Sequence, residues 1–514
     1  MLDFLITNAE VYDGNGGDAQ YTSVGIQGDR IVHIGEAPVG LPVGQTIDAY
    51  SKILCPGFVD THGAPGPDGP TRELAEARLF QGITSEVVGR GSRSPAPLGD
   101  VLHQKVGQRY PWRSLGEWFQ RIEQQGLWTN VAALVGHSTL RRGVCGDTQQ
   151  IGPEHIRVMG AWLDQALNDG ALGLATDPAS VPGTFASPEE LQGLLQVVVR
   201  HSGLWATRPR DERQQLEAAI TEATALAASV GVSTLLGPLR AAETSNWGKI
   251  ADAIRRVEEA RSRGVAIDFE VVPYDAVALP LRELLPPEFQ VHGIDGLRAR
   301  LTRPDWRKYA ADWLAFRGVD CSRLVMTTDS PRGVKQRDIA ELAGLWQKQP
   351  ADALMDLVAA EPNSQGVYRC LSRDDVDAAV LANDAIVSSG SPDFPIDTPE
   401  LDILPHPAVW ASITRVLERF AIEGLLPFAD VIRRITSLPA DRLGLVGRGR
   451  LVQGAFADIV LLDPGAVKAH ATFQDPNRLS EGVEKVWVNG KLVLAEGSLQ
   501  GEPSGRALRR GHSH

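Results

Sequence analysis

Short apolar runs separated by longer segments of helical spacing recur through most of the chain. Ile83–Val88, Val131–Val135, Leu172–Ala175, Leu204–Thr207, Thr234–Leu236, Ile267–Val272 and Ala385–Ser389 are such runs, and stretches like Leu191–His201, Leu216–Ala228 and Asp252–Arg263 lie between them. Strands buried on both faces read as near-continuous apolar segments, and their alternation with helices implies parallel βαβ units. With the stretch from Ile53 to Asp60 added, the strands number about eight, which predicts an α/β fold built on a TIM-type (β/α)8 barrel over residues 55–429.

The two ends of the chain carry a different rhythm. Phe4–Thr7, Ser23–Ile26 and Arg30–Ile34 are short alternating segments broken by Gly-rich turns, too few strands to close a core alone. Their complement is at the far end: Ala457–Leu462, then Val483–Val488 leading through Asn489-Gly490 into Lys491, a tight hairpin signal. Residues 1–54 and 430–514 are therefore expected to share one small β-sandwich domain. Residues 279–384, with Pro286-Pro287, Pro304 and Trp306 followed by helical spacing, fit the alternation poorly and are expected to be an insertion late in the barrel.

At 514 residues the chain suits a large domain plus a smaller one. A formal charge of −13 and a pI near 5.4 argue against nucleic acid or an anionic membrane surface as partner. Cys55, Cys145, Cys321 and Cys370 show no C-x-x-C spacing and read as reduced thiols. No basic-plus-apolar leader or run of spanning length is present, so the protein is expected to be cytoplasmic. Its partner is expected to be a small-molecule substrate, with a homo-oligomer or a protein partner left open.

The stretch Pro56-Gly57-Phe58-Val59-Asp60-Thr61-His62-Gly63-Ala64 places polar residues just past a strand, the end of a barrel at which chemistry is done. It resembles the opening signature of the amidohydrolase superfamily, in which a second histidine stands where this chain has Ala64. Asn130 to Arg141, Gly170 to Leu174, Trp205 to Glu212, Asn246 to Lys249, Pro273-Tyr274, Thr436 to Ala440, Gly449 to Leu451 and Phe456 to Val460 narrow the resemblance to the D-aminoacylases, the N-acyl-D-amino-acid deacylases. That resemblance implies amide hydrolysis by a metal-bound water. It also implies that most of the ligands are gone: Gly91 stands at a ligand cysteine, Arg208 and Pro238 at ligand histidines, and Ser389 at the catalytic aspartate, with His62 alone retained. A guanidinium cannot ligate a metal.

No metal and no other cofactor are therefore expected. The leading expectation is a D-aminoacylase-like enzyme that has lost the zinc site and acts, without metal, on a small amino-acid-derived, carboxylate-bearing or N-acyl molecule. Its catalytic candidates are His62, His137, Asp177 and Asp275, acid–base groups at strand ends. Arg208, Arg240, Tyr274 and Ser389 are the substrate-binding candidates, the arginines as anion binders. Asp68, Asp329, Asp393 and His406 are further polar residues of these loops, His406 being read as fixing a Pro-His-Pro turn. Two alternatives stand beside this reading: an inactive scaffold or binding partner, and a zinc-dependent deacylase with relocated ligands.

Overall fold

The computed structural model describes residues 1–37, 40–63, 71–146, 148–391 and 402–511. Ala64, Asp68 and Asp393 lie outside these residues.

Parallel ladders run from Phe58–Asp60 to Ile83–Val88 and on to Asn130–Ala133. After the step at Leu134, parallel ladders continue from Val135–Gly136 through Gly173–Thr176, Leu204–Thr207, Ser233–Leu236 and Ile267–Val271 to Ile386–Val387. The two arcs are stitched where Leu134 N donates to Val88 O and Leu172 N to Ala133 O. At the other seam Ser391 N donates to His62 O and Ser389 N to the Asp60 carboxylate. This is a TIM-barrel-type arrangement with an additional sheet. Val59, Val87, Leu134, Ala175, Ala206, Leu235 and Ile386 fill its interior, and Ala440, Leu443 and Leu508 pack into the same cluster. Burial on both faces is why these strands are continuous apolar runs.

Close strand approach demands small residues at particular points. A β-carbon on Gly173 would stand 1.8 Å from the carbonyl oxygen of Leu204 on the neighbouring strand. That contact is with backbone and cannot be relieved by a rotamer change. Gly173→Val is expected to lower stability by about 2–4 kcal/mol, read as a fall in the denaturant midpoint.

Both ends of the chain meet in one nine-stranded sheet. Leu2–Val11 pairs with Gln20–Gln27 and with Val43–Asp48, while Ile53–Pro56 runs antiparallel to Ile459–Leu462 with Cys55 opposite Val460. The sheet is tied to the barrel by a buried polar knot: Asp458 accepts from Asn489 N and Asn130 Nδ2 and pairs with Arg448. Between barrel strands, Val277–Pro280, Leu324–Met326 and Gln365–Tyr368 form a small antiparallel sheet. Helices such as Pro304–Phe316 and Pro350–Ala360 pack on it around a separate core containing Leu281, Phe289, Met326 and Leu354. Helix Arg373–Leu381 instead packs its Ala379 and Val380 into the main core. Among the described residues no helix is long and apolar enough to cross a membrane, and none of the four cysteines is in a disulfide.

Candidate active site

A cavity of about 640 Å³ opens at the carboxyl ends of the barrel strands, and most strand ends contribute to its wall, Asn130–Ala133 and Val135–Gly136 excepted. His62 and Gly63 follow Phe58–Asp60; Gly89 and Gly91 follow Ile83–Val88; Asp177 follows Gly173–Thr176. Arg208 comes one residue after Leu204–Thr207, Pro238 and Arg240 follow Ser233–Leu236, and Tyr274 follows Ile267–Val271. The small antiparallel insertion adds Leu279, Glu283, Thr327 and Asn363. His406 and Asn477 reach it from the chain beyond the last barrel strand, Ile386–Val387.

The centre of the site is an ionic cluster. His62 Nδ1 lies 3.5 Å from Glu270 Oε1, and the side chain of Glu270 is fully buried. Thr61 donates to the other carboxylate oxygen at 2.7 Å. Arg90, itself fully buried, brings its guanidinium within 3.1 Å of Glu270 Oε1. Burial pushes the Glu270 carboxyl up, but Arg90, His62 and Thr61 outweigh it and the net displacement is downward, so the group stays ionised. His62 is only 11% accessible in its side chain and faces the cavity. His62 Nδ1 makes no hydrogen bond among the described residues, and the Glu270 carboxylate 3.5 Å behind the ring is its electrostatic partner, as suits an acid–base imidazole.

Around this centre stands a second set of ion pairs. Arg208 reaches Asp177 at 2.8 Å and Glu212 at 3.0 Å, and Glu212 also accepts from Arg240 Nε at 2.7 Å. Burial acts against the charge on Arg208, yet Asp177, Glu212 and Glu283 together raise its pKa well above the usual value. Glu212, pushed up by burial and more strongly down by Arg208 and Arg240, comes out at about 2. Arg208 is thus spent on carboxylates. Arg240 engages Glu212 through Nε and lines the cavity. Its terminal nitrogens have no bond to any of the described residues.

Tyr274 and His406 form an uncharged corner. Their rings meet edge-on with centroids 5.1 Å apart, and Phe473 packs edge-on against both. Burial pushes the Tyr274 phenol up to about 12, with Arg415 opposing and Glu418 adding to it. Burial takes His406 down to about 4, the Ala276 backbone opposing and Arg240 reinforcing the shift. His406 Nδ1 accepts from Ala408 N at 3.0 Å, so the turn reading describes one side of this residue and the cavity wall the other.

Of the residues singled out in the sequence, His62, Asp177, Arg208, Arg240 and Tyr274 share the cavity wall. His137 does not. It opens helix His137–Cys145, where its Nε2 lies 2.7 Å from Glu190, which also takes Arg141, and all three side chains are fully buried away from the cavity. Ser389 is a clasp: its hydroxyl donates to His62 O at 2.9 Å and meets Ser391 Oγ at 2.8 Å, holding the strand seam. Asp275 is half-buried off the cavity wall, and its carbonyl receives Leu371 N. Asp329 accepts three backbone N–H groups of its own loop.

Arg90 and Glu270 were the omissions. Two carboxylates, Asp268 and Glu270, inside the buried strand Ile267–Val271 are the signal that would have pointed to such a pair, because a buried charge must have a partner. Among the described residues no group of three His, Cys, Asp or Glu is placed to hold a metal ion.

Comparison with known proteins gives consistent relatives. The sequence profile of the amidohydrolase family matches residues 378–494. An N-acyl-D-glutamate deacylase of Alcaligenes xylosoxydans xylosoxydans is 33% identical over 99% of this chain and 97% of its own length. A D-aminoacylase of the same organism is 27% identical over 99% of this chain and 98% of its own. In the solved structures, the N-acyl-D-glutamate deacylase of Bordetella bronchiseptica superposes with a TM-score of 0.81 at 28% identity, covering 99% of each chain. That structure holds zinc and a phosphonate inhibitor mimicking the tetrahedral intermediate.

Proposed function

The chain belongs to the D-aminoacylase family of amidohydrolases, and from that premise we propose that it is an enzyme acting on a small N-acyl, carboxylate-bearing amino-acid derivative without a bound metal. The observation that carries the reading is His62, turned to the cavity with Glu270 behind it, on a wall that also presents Arg240.

Zinc is present in the Bordetella relative, and the side chains here do not fit it. The strand-end centre offers one imidazole and one carboxylate, and that carboxylate faces a guanidinium 3.1 Å away. Tetrahedral zinc needs three or four nitrogen, sulfur or oxygen ligands, and no such group stands among the described residues.

In the proposed reaction His62 takes a proton from water as the water oxygen adds to the acyl carbon, then returns it to the amine nitrogen as the C–N bond breaks. The products are a carboxylic acid and a free amino acid. Arg208, its guanidinium taken up by Asp177 and Glu212, shapes the cavity wall and leaves the substrate's charge to Arg240. Tyr274, neutral because burial drives its pKa up to about 12, contributes a hydroxyl to the same wall. Arg240 grips the substrate carboxylate with its terminal nitrogens. In this proposal His137, Asp275 and Ser389 serve the scaffold.

The proposal extends to the architecture: the parallel strands close as a (β/α)8 barrel over 55–429, residues 1–54 and 430–514 form a β-sandwich, and 279–384 is an insertion that walls the cavity. The acidic charge of −13 and cysteines outside any disulfide support a small-molecule partner and a cytoplasmic setting.

The test is amine release from a panel of N-acetyl-D-amino acids, N-acetyl-D-glutamate included, before and after chelation and with zinc added. Turnover that survives chelation supports the proposal. Turnover that appears only with zinc overturns it in favour of a metal enzyme, and saturable binding without turnover marks a binding protein. Within an active enzyme, Arg240→Ala is expected to raise KM roughly 10- to 100-fold with a smaller change in kcat, because a charge-assisted ligand contact is lost.

A further inference from the structure

We infer that the guanidinium of Arg90 is the built-in cation of this active site, standing where a metal ion would otherwise organise Glu270 and His62. The inference goes beyond the proposed reaction, since it concerns how the site is held together whether or not any amide is cleaved.

The placement of Arg90 carries the argument. Its Nη2 donates to Gly237 O at 2.7 Å and to Leu235 O at 3.3 Å, and lies 3.1 Å from Glu270 Oε1. Arg90 adjoins Gly91, and Gly237 adjoins Pro238, two positions at which the D-aminoacylase resemblance places ligands. Glu270 in turn meets His62, the ligand position that is retained. One guanidinium nitrogen thus touches the strand that carries Pro238 and the carboxylate that orients His62.

A purely structural clamp would be expected to satisfy the whole guanidinium. Instead Nε and Nη1 of Arg90 are buried with no hydrogen-bond partner among the described residues, as is Glu270 Oε1. Unsatisfied buried donors are costly, so the Gly237 and Leu235 carbonyls are joined in holding the group by the charge of Glu270, and the two charges compensate each other in a dry interior. Arginine suits the task because it remains charged at any physiological pH. It does not reach the cavity, so its role is that of a positioning residue acting through Glu270 on His62.

Four proteins test this: wild type, Arg90→Met, Glu270→Gln and the double variant. In wild type, zinc titrated by calorimetry is expected to give no stoichiometric binding, and the thermal midpoint is expected to be the same with zinc and with chelator. Arg90→Met should lower the midpoint by on the order of 5 °C by stranding Glu270, and adding Glu270→Gln should restore most of that loss. Selective nitrogen-15 labelling of histidine should show His62 as a single tautomer with Nδ1 protonated in wild type, and that signature should be lost in Arg90→Met. One tightly held zinc per wild-type chain would overturn the inference. So would additive losses in the double variant, or a His62 signature indifferent to Arg90. None of these readouts needs turnover, so a chain that cleaves no N-acetyl-D-amino acid defeats the proposed function and leaves this inference standing.

Discussion

Replacing His62 by alanine is expected to lower kcat/KM for a turned-over N-acyl-D-amino acid by roughly 100-fold or more, with the loss in kcat rather than KM. Among the described residues His62 is the one imidazole on the cavity wall with a carboxylate behind it, at 3.5 Å from Glu270. Removing it takes away proton transfer at the reacting centre and leaves the binding contacts of Arg240 in place. Glu270→Gln is expected to reproduce part of the loss, because an amide neither carries the charge that orients the ring nor fixes which nitrogen holds the proton. His137→Ala is the contrasting variant. Its imidazole is sealed against Glu190 and Arg141, away from the cavity, so its removal should cost about 1–3 kcal/mol of stability and leave the kinetics of the folded enzyme largely intact. Steady-state kinetics beside denaturant unfolding separates the two histidines; a His137 variant that is stable but inactive would reverse their roles.

The second large effect is on acid stability, in two steps. His406 is lowered by burial to about 4 from an ordinary 6.5. Between those values the unfolded chain binds more protons than the folded one, so acidification favours unfolding. This contribution is fully present above pH 6.5 and is lost as pH falls toward 4. Glu212 is lowered to about 2 from 4.5 by Arg208 and Arg240 acting against burial. Its contribution is fully present above pH 4.5 and is lost as pH falls toward 2. Each gap corresponds to about 3 kcal/mol. Urea midpoints should therefore decline from just below pH 6.5 and more steeply below 4.5. His406→Gln should remove the upper decline. Glu212→Gln should be less stable already at pH 7, through two stranded arginines, and should lack the lower one. A midpoint that stays level from pH 7 to 5 in wild type would contradict the burial of a neutral His406.

These effects fall unevenly on what was legible beforehand. His62, Arg208 and Arg240, which line the cavity, were singled out from strand-end position and from the D-aminoacylase resemblance, since a residue just past a barrel strand lies near the mouth. His137 has the same sequence credentials as His62. What separates them is helix His137–Cys145, which begins at His137 itself and carries the ring toward Glu190 on another helix, 53 residues on. Arg208 and Arg240 were read as anion binders, and they meet anions that belong to the chain: Asp177 and Glu212.

By itself, the sequence determined the family and the order of the strands, because both are recorded locally: apolar runs of strand length, helical spacing between them, and collinear motifs such as Asn130 to Arg141 and Trp205 to Glu212. Both chain ends also read as strands too few to close a core alone; that they meet in one nine-stranded sheet is seen in the structure. Only the tertiary structure decided the charge pairing. Arg90 and Glu270 are 180 positions apart and meet because parallel strands bring their carboxyl ends to a common axis. Electrostatic interaction depends on distance through space and on burial, and neither is encoded in spacing along the chain.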